Sequence, residues 1–206
     1  MDKKTMFKLT YGLFVLTTSL DGKDNGCIIN TLSEVASDPL VVSFAVNKLN
    51  HTHDMLMKAK MFNVSIINDD AKFDMFKQFG FQSGKDVDKF KNINYMKRSD
   101  NDIYYIDNGQ TNAYISGWVY DTVDLGSHTL FLAKVVDAVT LNNVPSLTYA
   151  GYHDHVKEKL TPTVNAEGKT VWVCSVCGYE YVGETLPDDF ICPVCKHGKE
   201  VFYKKN

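Results

Sequence analysis

Four cysteines set the chemical question. Cys174 and Cys177 form one C-x-x-C pair, Cys192 and Cys195 a second, and 14 residues separate the pairs. Thiolate is the metal-binding form of cysteine. Four of them at this spacing can close a tetrahedral site with metal–sulfur bonds of about 2.3 Å. The two-residue gaps let each loop turn tightly, so that backbone N–H groups point at sulfur. Gly178 suits the left-handed turn such a loop needs. Spacing alone does not choose between zinc and iron, because both accept four sulfurs. In a chain without a secretory signal, paired C-x-x-C cysteines favour a metal over disulfides. The fifth cysteine, Cys27, stands far from the others and reads as a small buried hydrophobe.

The rest of the chain bounds what can surround these residues. It has 206 residues, 44% hydrophobic and 12% aromatic, which is enough for a real core and argues against disorder. A net charge of -3 leaves no basic footprint for nucleic acid. Near the N-terminus the apolar run Leu13–Leu16 is broken at once by Thr17, Thr18 and Ser19. A signal peptide or a membrane helix needs a longer run, so a cytoplasmic protein with no membrane partner is expected. The sequons Asn50-His51-Thr52 and Asn63-Val64-Ser65 are then chance matches.

Residues 1–157 read as a strand-rich domain, 158–169 as a polar linker holding Pro162 and Gly168, and 170–206 as a small module. So short a module buries too little to fold without help, and a metal is the usual remedy. In the large domain, strands are expected over Leu13–Leu20, Cys27–Val35, Leu40–Val46 and Met61–Ile67. Asp21–Gly26 is a turn cluster, with Asn25-Gly26 supplying the positive φ of a hairpin. Helices are expected over Thr52–Lys60, capped by Asn50 or Thr52, and over Asp69–Phe79, with Phe73, Phe76 and Phe79 on one core-facing side. Asn112–Val123 and Thr129–Leu141 alternate well enough to be neighbouring antiparallel strands. Many strands, two short helices and no Gly-rich phosphate loop point to a mainly β, barrel-like domain, not a Rossmann fold.

Residues 170–206 resemble a rubredoxin. The resemblance rests on Trp172-Val-Cys174-Ser-Val-Cys177-Gly178-Tyr179-Glu-Tyr181, on Leu186-Pro187-Asp188-Asp189-Phe190-Ile-Cys192-Pro193-Val-Cys195, and on Gly198–Phe202. It implies one iron on four cysteines that shuttles single electrons. Two features depart from the pattern: a shorter segment between the pairs, and Lys196 where the second loop usually has glycine. Neither removes a ligand.

Residues 1–157 resemble the flavin reductase family with its FMN-binding split β-barrel, most of all the ferric-reductase-like branch. The matching segments, in family order, are Tyr11–Leu13, Asn30-Thr31, Asn47–His53, Phe79–Ser83, His128–Phe131 and Leu147–His153. The resemblance places the backbone of Cys27, Ile28, Ile29, Asn30 and Thr31 along the flavin ring. It puts Ser83 at the flavin and His128 on the nicotinamide side, the alternative for His128 being a satisfied histidine at a strand start; Tyr11 and Tyr152 are candidates to flank the ring, with ordinary core packing as the default. Residue chemistry agrees: a flavin phosphate needs a cation with amide and hydroxyl donors. Asn47, Lys48, Asn50, Thr52 and His53 supply these at the start of a predicted helix. The alternative is that Asn50 or Thr52 only caps the helix and Lys48 is solvated. His51 and His53 are two apart, a spacing that does not share a helix face, so they do not read as a metal pair.

The two domains in this order resemble the high-molecular-weight rubredoxins. The resemblance implies NAD(P)H, FMN and iron in series, a homodimer, and a soluble acceptor, a flavodiiron oxygen or nitric oxide reductase. The alternative is a plain flavin or ferric reductase with a structural, zinc-ribbon-like tail.

Overall fold

The computed structural model describes residues 5, 8–91, 93–157, 169–174, 179–193 and 198–205. The chain divides into two compact units, residues 1–157 and 158–206. Residues 158–168 of the expected linker lie outside the described residues.

The first unit is built on one seven-stranded antiparallel sheet. Its strands are β1 (Phe14–Leu20), β2 (Lys23–Ile29), β3 (Ser33–Ser37), β4 (Leu40–Asn47), β5 (Met61–Ile67), β8 (Thr111–Asp124) and β9 (His128–Thr140). They pair in the order β2-β1-β5-β8-β9-β4-β3. A small hairpin, β6 (Met96–Arg98) with β7 (Tyr104–Ile106), stands apart. Cys27 and Ile29 of β2 share one core with Val42, Phe44 and Val46 of β4, although five positions of the sheet order separate the two strands. The sheet therefore curls around that core, in which Phe44 lies 5.0 Å from Phe62 and 5.5 Å from Phe131, centroid to centroid. Alternation sends the other residues of β1 outward. Leu13 and Val15 meet Met75, Phe76 and Phe79 of α2 (Phe73–Gly80), and Tyr152, in a second core.

Several local details differ from the sequence reading. The β1–β2 turn is carried by Asp21 and Gly22, at φ +52° and +75°, not by Asn25-Gly26. Gly26 instead sits in β2 opposite Thr17, where a Cβ would come 2.9 Å from the Leu16 carbonyl oxygen. The expected strand Cys27–Val35 breaks at residues 30–32, because Thr31 leaves the ladder to bond β4. Its hydroxyl donates to Ala45 O at 3.1 Å and accepts from Ala45 N at 2.8 Å. α2 starts four residues later than expected, since Asn68 Oδ1 accepts from Asp70 N in an Asx turn. α1 (His51–Ala59) is capped by Asn50, whose side chain accepts from Thr52 N at 3.1 Å. A short helix, α3 (Tyr149–Gly151), runs on into a π turn over Tyr152–Val156.

The second unit has a three-stranded antiparallel sheet in the order β11 (Glu180–Val182), β10 (Val171–Cys174), β12 (Phe202–Lys205). Trp172 Nε1 donates to Gly183 O at 3.0 Å. Phe190 packs between Tyr181 and Phe202, at 4.8 and 5.2 Å. Among the described residues, no helix is long and apolar enough to cross a membrane.

Candidate functional site

The start of α1 divides the predicted phosphate residues into two groups. On one side, Asn50 and Thr52 stand with β2. Asn25 Nδ2 donates to Thr52 Oγ1 at 3.1 Å, inside the protein. Cys27 lies beside them, 2% exposed. Burial pushes the Cys27 thiol up, while Thr52, Lys89 and Asn50 pull the other way. On the other side, Asn47 is opposite His128 in the β4–β9 register, and Lys48 N donates to Ser127 O at 3.0 Å. The Lys48 ammonium meets Asp124 at 2.6 Å and holds that carboxyl below its ordinary range. His128 is half-buried, with Nδ1 2.8 Å from Ser127 Oγ. His53 is buried, its Nε2 2.9 Å from Thr129 Oγ1 and its ring against Phe131.

Each remaining candidate has a definite place. Cys27 and Ile29 point into the first core, and Ile28 packs against the second. Asn30 is half-buried, and its side chain makes no hydrogen bond among the described residues. Ser83 is exposed and opens a loop, its carbonyl accepting from Asp86 N and Val87 N at 3.1 Å. Tyr152 is 5% exposed and lies 4.5 Å from Phe76, on the α2 face of the sheet, away from Asn50 and Thr52.

A cavity of about 730 Å³ lies between the start of α1, the β1–β2 hairpin and the 84–88 loop. His51 and Asn25 line it, with Gly84, Lys85 and Lys23. His51 Nδ1 is buried without a hydrogen-bond partner, an arrangement that a ligand atom would complete. It lies in the first turn of α1, where N–H groups and the helix dipole favour an anion. His51, Lys23, Lys85 and the helix start offer donors to a phosphate-bearing cofactor, while Asp21, Asp24, Asp86 and Asp88 of the same lining confine the anion to the α1 end. The sequence reading passed over His51, Asn25 and Lys85 as phosphate contacts, because Asn25 and Lys85 are remote from the helix start along the chain and His51 was weighed only against a metal pair. It also missed Lys89, which is 4% exposed and donates to Gly26 O at 2.9 Å and Phe79 O at 3.0 Å. Burial pulls the Lys89 ammonium down, and Cys27 partly offsets this.

In the second unit, Cys174 and Cys192 are buried. Cys174 closes β10 and its N–H donates to Tyr179 O at 2.9 Å. Soft thiolates on turn backbone suit iron or zinc. Cys177, Cys195, Gly178 and Lys196 lie outside the described residues.

The curled antiparallel sheet and the cysteine-bearing small unit define the class. Residues 6–158 match the flavin reductase like domain, and residues 172–203 match the rubrerythrin, rubredoxin-like domain. The chain belongs to the flavin reductase-like family and carries a rubredoxin-like domain at its C-terminal end. It is similar to the high molecular weight rubredoxin of Moorella thermoacetica, at 34% identity over 98% of this chain and 99% of that protein. It is also 32% identical to a ferric-chelate reductase (NAD(P)H) of Archaeoglobus fulgidus, over 82% of this chain and all of that one (100%). Among solved structures, the flavin reductase HpaC complexed with NADP+ superposes with a TM-score of 0.61 at 25% identity, over 71% of this chain and 90% of that one. The protein is an oxidoreductase. Its flavin-binding fold and rubredoxin-like domain imply a flavin and an iron, an arrangement consistent with electron transfer.

Proposed function

We propose that the protein takes electrons from NAD(P)H through FMN to a single iron at Cys174, Cys177, Cys192 and Cys195, and passes them to a soluble acceptor. One observation carries the reading: a flavin reductase-like domain and a rubredoxin-like domain share one polypeptide. A bound flavin exchanges hydride for single electrons, and a tetrathiolate iron relays electrons one at a time. The protein's own contribution is position and charge. His51 and the first turn of α1 receive the phosphate, aided by Lys85. The backbone from Cys27 to Thr31 lies along the ring, and His128 orients the nicotinamide. Aromatic cover from Trp172, Tyr181, Phe190 and Phe202 keeps water from the iron and tunes it.

From Thr170 on, the chain holds four Lys against five Asp and Glu, a net charge of -1 before the metal. Four thiolates and a ferric ion add another negative charge. That sign fits an acceptor with a basic electron-entry face, for which a flavodiiron oxygen or nitric oxide reductase is the proposed partner. A homodimer is supported by the apolar residues exposed around the β8–β9 end, Trp118, Tyr120, Val123 and Leu125, with Leu49 beside Lys48.

The test is an anaerobic NADH titration of the purified holoprotein followed by visible absorption. Red ferric charge-transfer bands should bleach together with the flavin band, and Cys192→Ser should abolish transfer to the acceptor while flavin reduction persists. Transfer surviving in Cys192→Ser sinks the relay. The match to a ferric-chelate reductase, over all of that protein (100%) and 82% of this chain, favours a second reading, in which ferric chelate or free flavin is the acceptor. A colourless, zinc-loaded tail from iron-replete cells, with unimpaired chelate reduction, would establish it.

A further inference from the structure

Asn25-Gly26, a dipeptide that reads as a turn in sequence, lies inside β2 at the wall of the α1 cavity. The loop from Ser83 to Lys89 is seated on it at both ends. At the near end, Gly84 lies flat against the Asn25 amide. A Cβ there would stand 2.6 Å from Asn25 Cγ and 2.7 Å from Nδ2. Real Cβ atoms essentially never come so near, and the obstruction is a side chain held in place. Asn25 is 3% exposed and its Nδ2 is bonded to Thr52 Oγ1 in the first turn of α1. At the far end, the buried Lys89 ammonium grips Gly26 O on the next residue of β2 and Phe79 O in the last turn of α2. Both partners are backbone carbonyls, and no carboxylate of a described residue lies within ion-pair distance of Lys89. Its burial is therefore explained by the fastening itself, with the cation at a helix C-terminus.

We propose that Asn25 is the positioning residue of the cavity: one amide fixes α1 through Thr52 and seats the 83–89 loop through Gly84. Three walls of the cavity, β2, the start of α1 and the loop, are then registered on a single side chain. The loop carries Lys85, whose ammonium sits 3.8 Å from Asp54 on α1. A loop displaced from Asn25 takes Lys85 with it and opens the space in front of His51. The inference rests on the reading of this cavity as the flavin phosphate site.

The test is a double-mutant cycle with Gly84→Ala and Asn25→Ala, with two readouts. The first is FMN affinity of the full chain by fluorescence quenching. Asn25→Ala should itself weaken FMN binding about ten-fold, and Gly84→Ala should do the same in the native background but cost less than about two-fold more in the Asn25→Ala background, where the seat is already lost. The second needs no flavin: the rate of tryptic cleavage after Lys85 in flavin-free protein should rise in Gly84→Ala and in Asn25→Ala, each of which unseats the loop, and rise little further when the two are combined. Thermal melts identify any variant that has not folded. Equal costs of Gly84→Ala in both backgrounds, by either readout, overturn the proposal. A native protein that does not bind FMN, but whose cleavage rates still follow the cycle, overturns the flavin reading and leaves the positioning role standing.

Discussion

The two units hold themselves together by different means. The first buries large side chains completely: Phe44, Phe62, Phe79 and Phe131 are each at most 1% exposed, in two cores on either face of one curled sheet. In the second, the fully enclosed side chains among the described residues are small. Val173, Cys174 and Cys192 are at 0% exposure, while its larger residues Trp172, Phe190 and Phe202 stay half-buried. Cys174 and Cys192, two of these enclosed side chains, are candidate metal ligands. The contrast teaches that packing holds the first unit, whereas in the second the cysteines stand where a packed core would, as expected of a fold that a metal on them would complete.

The largest expected effect breaks the second unit alone. The chain's two tryptophans fall one to each unit, Trp118 and Trp172, so Trp118→Phe leaves a reporter for the second unit only. Stripping the metal with a chelator under reducing conditions should unfold that unit, seen as a red shift of Trp172 emission. The melting transition of the first unit should stay within a few degrees. A Trp172 spectrum indifferent to chelation would refute the comparison. Next in size, Phe62→Ala should cost the first unit about 3–5 kcal/mol, because the ring is fully enclosed and packs on Phe44. Urea melts should show that loss in the first unit and leave the Trp172 transition in place.

The smallest effect concerns pH. Burial, with Lys157 nearby, holds the His153 imidazole below its ordinary pKa, and its Nε2 has no hydrogen-bond partner. The unfolded chain therefore takes up this proton first. Stability of the first unit should fall as pH drops below the unfolded value of about 6.5 and level off only below the folded one. His153→Gln should flatten that limb in melts between about pH 7 and 5. An unchanged slope would show that other groups set it.

How far the sequence could be read follows from the range of the forces involved. The Asn50 cap was legible because a cap bonds two residues away. β8 and β9 were legible because alternation along each strand declares which face is buried. Asn25-Gly26 was misread for the same local reason. The dipeptide is as good a hairpin turn as a strand segment, and only the pairing of Gly26 with Thr17 and the Leu16 carbonyl behind it decide. Lys89 gave no signal, because a lysine is buried only where distant carbonyls receive it. Here those carbonyls lie 10 and 63 residues away.

The sequence by itself determined the chemistry this protein has to hand. It showed four thiolates at metal spacing, a helix start beside amides and hydroxyls, and two families of motif in one order. The tertiary structure decided which of those groups face a common space. It turned His53 inward to Thr129, tied Lys48 to Asp124, left His51 Nδ1 unpartnered at a cavity, and set Asn25 between α1 and the 83–89 loop. The reason is physical. Residue type fixes what an atom can donate, accept or ligate. Whether it is already engaged depends on strands and loops that meet only when the sheet has curled.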